Sequence, residues 1–378
     1  ADGDFVLRFR GYFQSDARVF VDDAAQPAAN TILARRIRPV LEGTLWNYVG
    51  FRFMPDFGEG RATLFDAYLD LLVRPAIALR VGKFKPPIGL ERLQSATDLL
   101  FVERGFPTNL VPSRDFGAQL HGEIADATVS YALGVFNGAP DLGNLDGDNG
   151  DDKDVAARVF AQPFRSAGPI PLRGLGLGFA VSTGVQRGAT AAPFLPGYRS
   201  PAQQTVFAYR ADGTDGGTVL ATGRHTRWSP QGYFYAGPFG LLGEYVRSSQ
   251  DVRRDAAVGR LEQDAWQVAG TWVLTGERAS YRGVEPARPF DPGGGAWGAL
   301  SIAARYGVLL IDPAAFPLFA DPASQVQEAR AWGLALNWFL ARGIRLQLNY
   351  EQTEYTGGAP AGDRPTERAL LARVQHAF

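Results

Sequence analysis

From Gly82 to Gly117 the chain carries Arg92, Arg104 and Arg114, two lysines, and a carboxylate directly before Arg92 and Arg104, at Glu91 and Glu103. Pro86, Pro87, Pro107 and Pro112 interrupt it. An irregular stretch this long between regular elements is functional or disordered, and its Leu and Phe content argues against disorder. The chemistry on offer is oxyanion contact. Arg presents a planar fork of donors that fits a carboxylate or phosphate in bidentate fashion. Of 38 basic residues only Lys83, Lys85 and Lys153 are lysines, a bias that a GC-rich genome would also produce. Arg92 and Arg104 therefore read either as cations held for anion contact or as ion pairs with Glu91 and Glu103.

The surrounding chain has period two. Phe5, Leu7, Phe9 and Phe13 alternate with Arg8, Arg10, Tyr12 and Gln14, and Trp332, Leu334, Leu336, Trp338 and Leu340 repeat the pattern. Alternation over such lengths predicts strands. They fall at about 5–14, 31–43, 45–55, 61–73, 76–83, 114–124, 127–137, 154–163, 174–186, 226–236, 239–251, 262–275, 296–309, 330–341, 343–355 and 366–378. Strands of this length suit a tilted membrane crossing. Connections alternate long and short, the asymmetry of outer-membrane barrels. The medium link 163–174 and the long link 275–296 depart from it: either the parity slips there or one short-turn side is elaborated.

No run of eighteen apolar residues exists, so no transmembrane helix is expected and a membrane crossing has to use strands. Ala1 reads as the residue after a removed signal peptide. The absence of Cys excludes a disulfide framework, thiol chemistry and a Cys-based zinc site. A net charge of −1 gives no signal for nucleic acid. The expected fold is all-β: one transmembrane antiparallel β-barrel of 16 strands spanning 1–378, with the apolar phase towards lipid, the polar phase towards a lumen, and 83–114 as the third outer loop. A soluble β-sandwich would bury the apolar phase instead.

Several segments resemble the phosphate-selective porin O and P family: RGYFQSDARVF (Arg10 to Phe20), LARRIRP (Leu33 to Pro39), DAYLD (Asp66 to Asp70), VGKFKPPIGLERLQSAT (Val81 to Thr97), VERGFPTNLVPSRDFG (Val102 to Gly117), TGE at 275, GAWGALSIAARY at 295, LNWFL at 336 and ERALLARVQHAF (Glu367 to Phe378). The resemblance implies a homotrimer of sixteen-stranded outer-membrane barrels, passive anion channels whose third outer loop folds inward as a constriction. It implies ligand-binding roles for Arg92, in place of the usual loop Lys; for Ser95, with Ala96 replacing a second Ser; for Arg104; for Asp66 as the wall carboxylate; and for Arg10, Arg35 and Arg36 as an upper-lumen arginine ladder. Phosphate or other small anions, outer-membrane lipid and lipopolysaccharide are the implied partners, with no cofactor and no enzymatic activity. A general small-solute porin and a surface barrel with an adhesive or enzymatic role are the alternatives.

Arg35 and Arg36 are adjacent, so on a regular strand they point to opposite faces unless a bulge intervenes. The acidic run Asp141 to Asp154 lacks the Gly and Glu positions of an EF-hand loop and reads as a solvated outer hairpin loop, with bridging of lipopolysaccharide cations as the other reading. Arg187, Arg199, Arg210, Arg224 and Arg227 either collect anions or sit on an ordinary surface loop. His121, His225 and His376 come with no nucleophile motif or metal triad. Trp228, Tyr233, Tyr235, Trp297, Trp332 and Trp338 read as girdle or packing aromatics.

Overall fold

A computed structural model describes residues 4–21, 29–147, 150–166 and 169–378. Sixteen strands form one closed antiparallel barrel: β1 (Phe5–Val21), β2 (Thr31–Leu45), β3 (Val49–Asp56), β4 (Thr63–Arg74), β5 (Ile77–Phe84), β6 (Asp115–Ile124), β7 (Val129–Phe136), β8 (Asp154–Ala161), β9 (Leu175–Val185), β10 (Leu220–Ala236), β11 (Phe239–Arg254), β12 (Ala257–Val273), β13 (Ala299–Leu310), β14 (Val326–Ala341), β15 (Ile344–Ala359) and β16 (Glu367–Ala377). Each strand pairs with its neighbours in sequence. The first and last pair to close the ring, from Tyr12 opposite Ala377 to Val21 opposite Arg368. Closure leaves no unpaired sheet edge.

The alternation sorts as the sequence predicts for a membrane barrel. Leu7, Phe9, Leu69, Val81, Leu133, Phe179, Leu241, Leu334, Leu348 and Val374 are exposed on the outer surface. Gln14, Asp16, Arg36, Gln267, Arg305, Asn337, Arg345 and Arg373 are buried inside it. A sandwich is ruled out by this inversion. An outward belt of rings runs over β10–β15, with contacts at Trp228–Tyr245, Trp266–Tyr306 and Trp332–Tyr350. Tyr233 and Tyr235, grouped with these by sequence, instead face the lumen beside Phe160 and Tyr281.

One end of the barrel carries the short turns and the other the long loops. The link 274–298 lies at the turn end, so the parity holds and that end is elaborated. The segment is anchored where Ala279 N–H donates to Gly237 O at 2.9 Å and Phe290 N–H to Leu340 O at 2.6 Å. Conversely, β11 and β12 run past their expected ends to a two-residue link at Asp255–Ala256, where sequence suggested a gap of about ten residues; Asp255 takes a positive φ of 53° to make the turn.

The loop 85–114 enters the barrel and lies along the inner wall of β11–β16. Wall side chains bind its backbone: Asn337 Nδ2 donates to Leu100 O at 3.1 Å, Arg345 Nη1 to Leu99 O at 2.9 Å, Arg305 Nη1 to Glu103 O at 2.9 Å, and Gln14 Nε2 to Ala96 O at 3.0 Å. Glu244 on β11 accepts from Leu90 N and Glu91 N at the start of the short helix Leu90–Leu93. At Gly105 a Cβ would sit 1.9 Å from Gln267 Oε1, so a larger residue would have to displace the Gln267 side chain. Towards the loop end, Ile88, Phe106, Leu110 and Val111 form a buried cluster with Tyr198, Val206, Phe207 and Val219 of the 186–219 loop and with Ile311, Ala315 and Phe319 of the 311–325 loop. The loop is a packed element of the interior, held by apolar burial and by many hydrogen bonds each worth about 1 kcal/mol.

The acidic run is not a purely solvated loop. Asp141 and Asp154 are buried, and both pair with the fully buried Arg227, at 2.5 Å and 3.2 Å. Asp146 pairs with Lys83 and Asp152 with Arg187. A guanidinium deep in the barrel needs counter-charges, and this run supplies them; Asp148 and Asn149 lie outside the described residues.

Candidate functional site

Because the loop fills the β11–β16 side, the open space lies against β1–β8. An inner cavity of about 920 Å³ runs from the loop to the turn-end rim at Arg74 and Glu123. An outer cavity of about 450 Å³ lies above it, floored by the loop and walled by Pro140–Gly143 and Leu195–Arg199. Arg35, Arg36, Arg92 and Arg104 line both cavities. These four arginines, expected from the sequence, therefore mark the junction between outer and inner space.

Arg35 and Arg36 reach that junction together because of a β-bulge. Gln14 pairs with Arg36 and Ser15 with Ala34, so Arg35 is the extra residue and both guanidiniums turn inward. Both bind Glu103 of the loop: Arg35 Nε at 2.6 Å and Arg36 Nη2 at 3.2 Å. Arg373 and Arg18 approach the same carboxylate at 3.3 Å and 3.7 Å. Against the cost of burial, Arg35, Arg36 and Arg373 hold Glu103 well below the usual carboxylate range. The pair Arg35/Arg36 is thus largely neutralised by the loop it faces.

Arg92 and Arg104 behave differently. Neither pairs with the acid beside it in sequence. Glu103 is taken by the wall arginines, and Glu91 accepts from Gly105 N at 2.8 Å and Gln267 Nε2 at 2.9 Å. Arg92 Nη2 donates to Thr108 O at 2.7 Å, and its buried Nε has no partner among the described residues. Arg104 donates to two carbonyls, Glu91 O at 2.9 Å and Gln94 O at 2.8 Å. Lys85, not singled out by sequence, completes the group: its Nζ donates to Leu93 O at 3.1 Å and to the same Gln94 O at 2.9 Å. An ammonium has three donors, so one remains. Among the described residues no carboxylate oxygen comes within 4.0 Å of these three cations. Burial, then Arg104 and Arg114, push Arg92 down to about 9. Burial, then Arg114 and Arg104, pull Lys85 well below the usual lysine range. Each is a cation among cations without a counter-ion, which is the state an arriving anion relieves.

The opposite wall carries many arginines, most of them matched by a carboxylate; Arg158 is not, its Nε donating to Gln231 Oε1 at 3.1 Å. Arg38 Nε binds Asp56 at 2.7 Å and its guanidinium lies 3.9 Å from the Phe65 ring centre. Arg52 binds Glu42 and Asp66, Arg80 binds Asp70, and Arg114 Nε binds Asp66 Oδ1 at 2.6 Å. Asp66 faces the lumen as expected, but two arginines clamp it. Ser95 opens onto the inner cavity with its hydroxyl 2.8 Å from that of Thr97. Arg10 is the misplaced member of the set. It lies near the turn-end start of β1, bound to Glu42 at 3.3 Å and lining a different cavity, so it is no part of an upper ladder. His121 lines the inner cavity, bonded to Asp70 at 2.8 Å.

A closed sixteen-stranded barrel with an apolar outer surface, a polar lumen and a loop narrowing that lumen defines a porin of the bacterial outer membrane, a channel. The chain belongs to the phosphate-selective porin O and P family, whose model matches residues 7–378. Solved structures agree on the fold. OmpT of Vibrio cholerae superposes with a TM-score of 0.62 at 12% identity over 100% of this chain and 99% of that one. The outer membrane channel DcaP of Acinetobacter baumannii gives 0.61 at 12%, over 100% and 99%. An anion-selective porin from Comamonas acidovorans gives 0.59 at 11%, over 99% and 100%. No match is found among curated proteins. The loop end is accordingly the outer face and the turn end the periplasmic face.

Proposed function

We propose that the protein is a passive, anion-selective pore whose selecting site is the group Lys85, Arg92 and Arg104 on the inward loop, with Arg35 and Arg36 completing the entrance. The carrying observation is the contrast in pairing: most wall arginines along the inner cavity have a carboxylate partner, Arg158 apart, and these three loop cations have none among the described residues. A fixed, unneutralised positive cluster beside a narrow aqueous path raises the local anion concentration and excludes cations. Asp66, already clamped by Arg52 and Arg114, contributes by holding those arginines in place.

The cargo is phosphate or a polyphosphate, which need donors to replace lost water, and Ser95 adds one hydroxyl. A general small-anion channel is the second reading. It is favoured by Ala96, which has no hydroxyl to offer, and by the engagement of Ser95 with Thr97. A homotrimer is supported by the outer surface. The Tyr and Trp belt covers β10–β15, whereas the tyrosines within β1–β9 (Tyr12, Tyr68 and Tyr131) line the lumen and the exposed Trp46 and Tyr48 of this side sit in the turn after β2, so these strands themselves project no Tyr or Trp outward, which suits a neighbouring subunit. One Vibrio cholerae OmpT structure is described as a trimer form. The apolar belt of β10–β15 meets lipid, and the ion-paired Arg247 and Arg330 beyond it meet lipopolysaccharide headgroups.

Planar-bilayer conductance of the purified protein in chloride, with phosphate titrated in, tests this. Phosphate block at low concentration supports a phosphate pore, anion conduction without block supports the general channel, and absence of conduction refutes both.

A further inference from the structure

Behind the loop, on the periplasmic side, is a separate cavity of about 670 Å³ between the segment 282–285, the loop residues Thr97 and Asp98, and the ends of β1, β14, β15 and β16. The stretch Ser95–Asp98 divides it from the pore. Ser95 opens on the pore side and Thr97 on this side. None of Lys85, Arg92 or Arg104 lines it.

Four arginines face this chamber, Arg10, Arg282, Arg342 and Arg345, against the carboxylates of Asp98 and Glu285. Arg345 is the decisive one. It is 2% exposed, yet both its hydrogen bonds go to neutral oxygens: Nη1 to Leu99 O at 2.9 Å and Nη2 to Gln375 Oε1 at 3.3 Å. Its buried Nε has no partner, and among the described residues no carboxylate oxygen lies within 4.0 Å of it. A buried guanidinium without a counter-charge is costly. Asp98 does not supply one. Its carboxylate accepts from the Thr97 hydroxyl at 2.9 Å, and burial raises it rather than an ion pair lowering it. Glu285 is engaged at the exposed rim with Arg342 at 3.6 Å, and Arg10 with Glu42.

We propose that this side chamber is a second anion site, with Arg345 as its principal donor and Arg282 and Arg342 as its rim, taking a small oxyanion such as phosphate or a carboxylate. An occupant matches the charge of Arg345 and ties Leu99 and the loop to the wall from behind. The site stands apart from the pore: it needs neither the constriction cations nor ion flow.

The test uses the purified full-length protein, with arsenate as an oxyanion that is also an anomalous scatterer. Crystals soaked in arsenate should show a peak in the chamber within hydrogen-bonding distance of Arg345. The peak should vanish in Arg345→Gln. In Arg282→Gln with Arg342→Gln, which leaves the loop anchor in place, anion block of chloride current should be unchanged. Arg282→Gln with Arg342→Gln, at exposed rim positions that leave the fold intact, should weaken chamber occupancy about fourfold, from two exposed charges each worth a factor of about two. An empty chamber in the wild type at arsenate concentrations that fill the constriction, or a peak unchanged in Arg345→Gln, overturns the proposal. Loss of current block with the chamber still occupied refutes the pore site alone.

Discussion

Replacing Lys85, Arg92 and Arg104 by Gln, singly and together, isolates the unneutralised cations from the crowd of lumen arginines. An ion passing about 5 Å from one unit charge, in a water-filled pore of effective dielectric constant about 40–80, feels about 1–2 kcal/mol. Each cation thus enriches anions several-fold and depletes cations to match, so one substitution lowers the anion-to-cation permeability ratio by about tenfold or more. The triple variant should lose most of its selectivity. The control removes a matched pair, Arg38→Gln with Asp56→Asn. Arg38 and Asp56 are 2.7 Å apart, so their joint loss leaves the net charge unchanged and should leave selectivity unchanged. The assay is the reversal potential across a bilayer in a KCl gradient. The difference between wild type and triple variant should be largest below about 0.1 M salt, where the Debye length is about 10 Å or more, and shrink near 1 M, where it is about 3 Å. A triple variant with the wild-type reversal potential, or a matched-pair variant shifted as far as the triple, refutes the argument.

Two further outcomes follow from the same geometry. Lys85 carries its charge below its pKa, and burial among arginines pulls that pKa down; anion selectivity should therefore fall as pH rises, before an ordinary lysine near pH 10.4 would titrate, and Lys85→Arg should flatten the dependence of reversal potential on pH. Glu103→Gln leaves Arg35, Arg36 and Arg373 buried without their shared counter-charge, at a cost of about 3–5 kcal/mol for breaking a buried pair; it should lower the thermal unfolding midpoint and raise loop-dependent current noise, while anion selectivity rises because a negative charge at the entrance is gone.

Much of the fold is legible in one dimension because a strand has a two-residue period. The phase of Leu334, Leu336 and Trp338 against Ala335 and Asn337 is written locally, and so is the count of strands. Strand ends were less legible where hairpins extend beyond the membrane, as at β11 and β12, since nothing in a polar strand marks where lipid stops. The inward loop stood out as an interruption of the period. Its partners did not. Glu103 sits next to Arg104 in sequence but binds Arg35, Arg36 and Arg373, the last separated from it by 270 positions.

The sequence by itself determined the strand count, the position of the inward loop in the strand order and the arginine-rich character of the lumen, because these depend on local period and composition; the strand parity at 275–296 was decided by the structure. Only the tertiary structure decided which cations face the pore without a counter-charge. A bulge turns both Arg35 and Arg36 inward to meet Glu103, most wall arginines find carboxylates across neighbouring strands, and the acidic run folds in to meet Arg227. Lys85, Arg92, Arg104, Arg158 and Arg345 are among those left with neutral partners. Charge compensation is a matter of distance in space, and a closed barrel brings together residues that the chain keeps far apart.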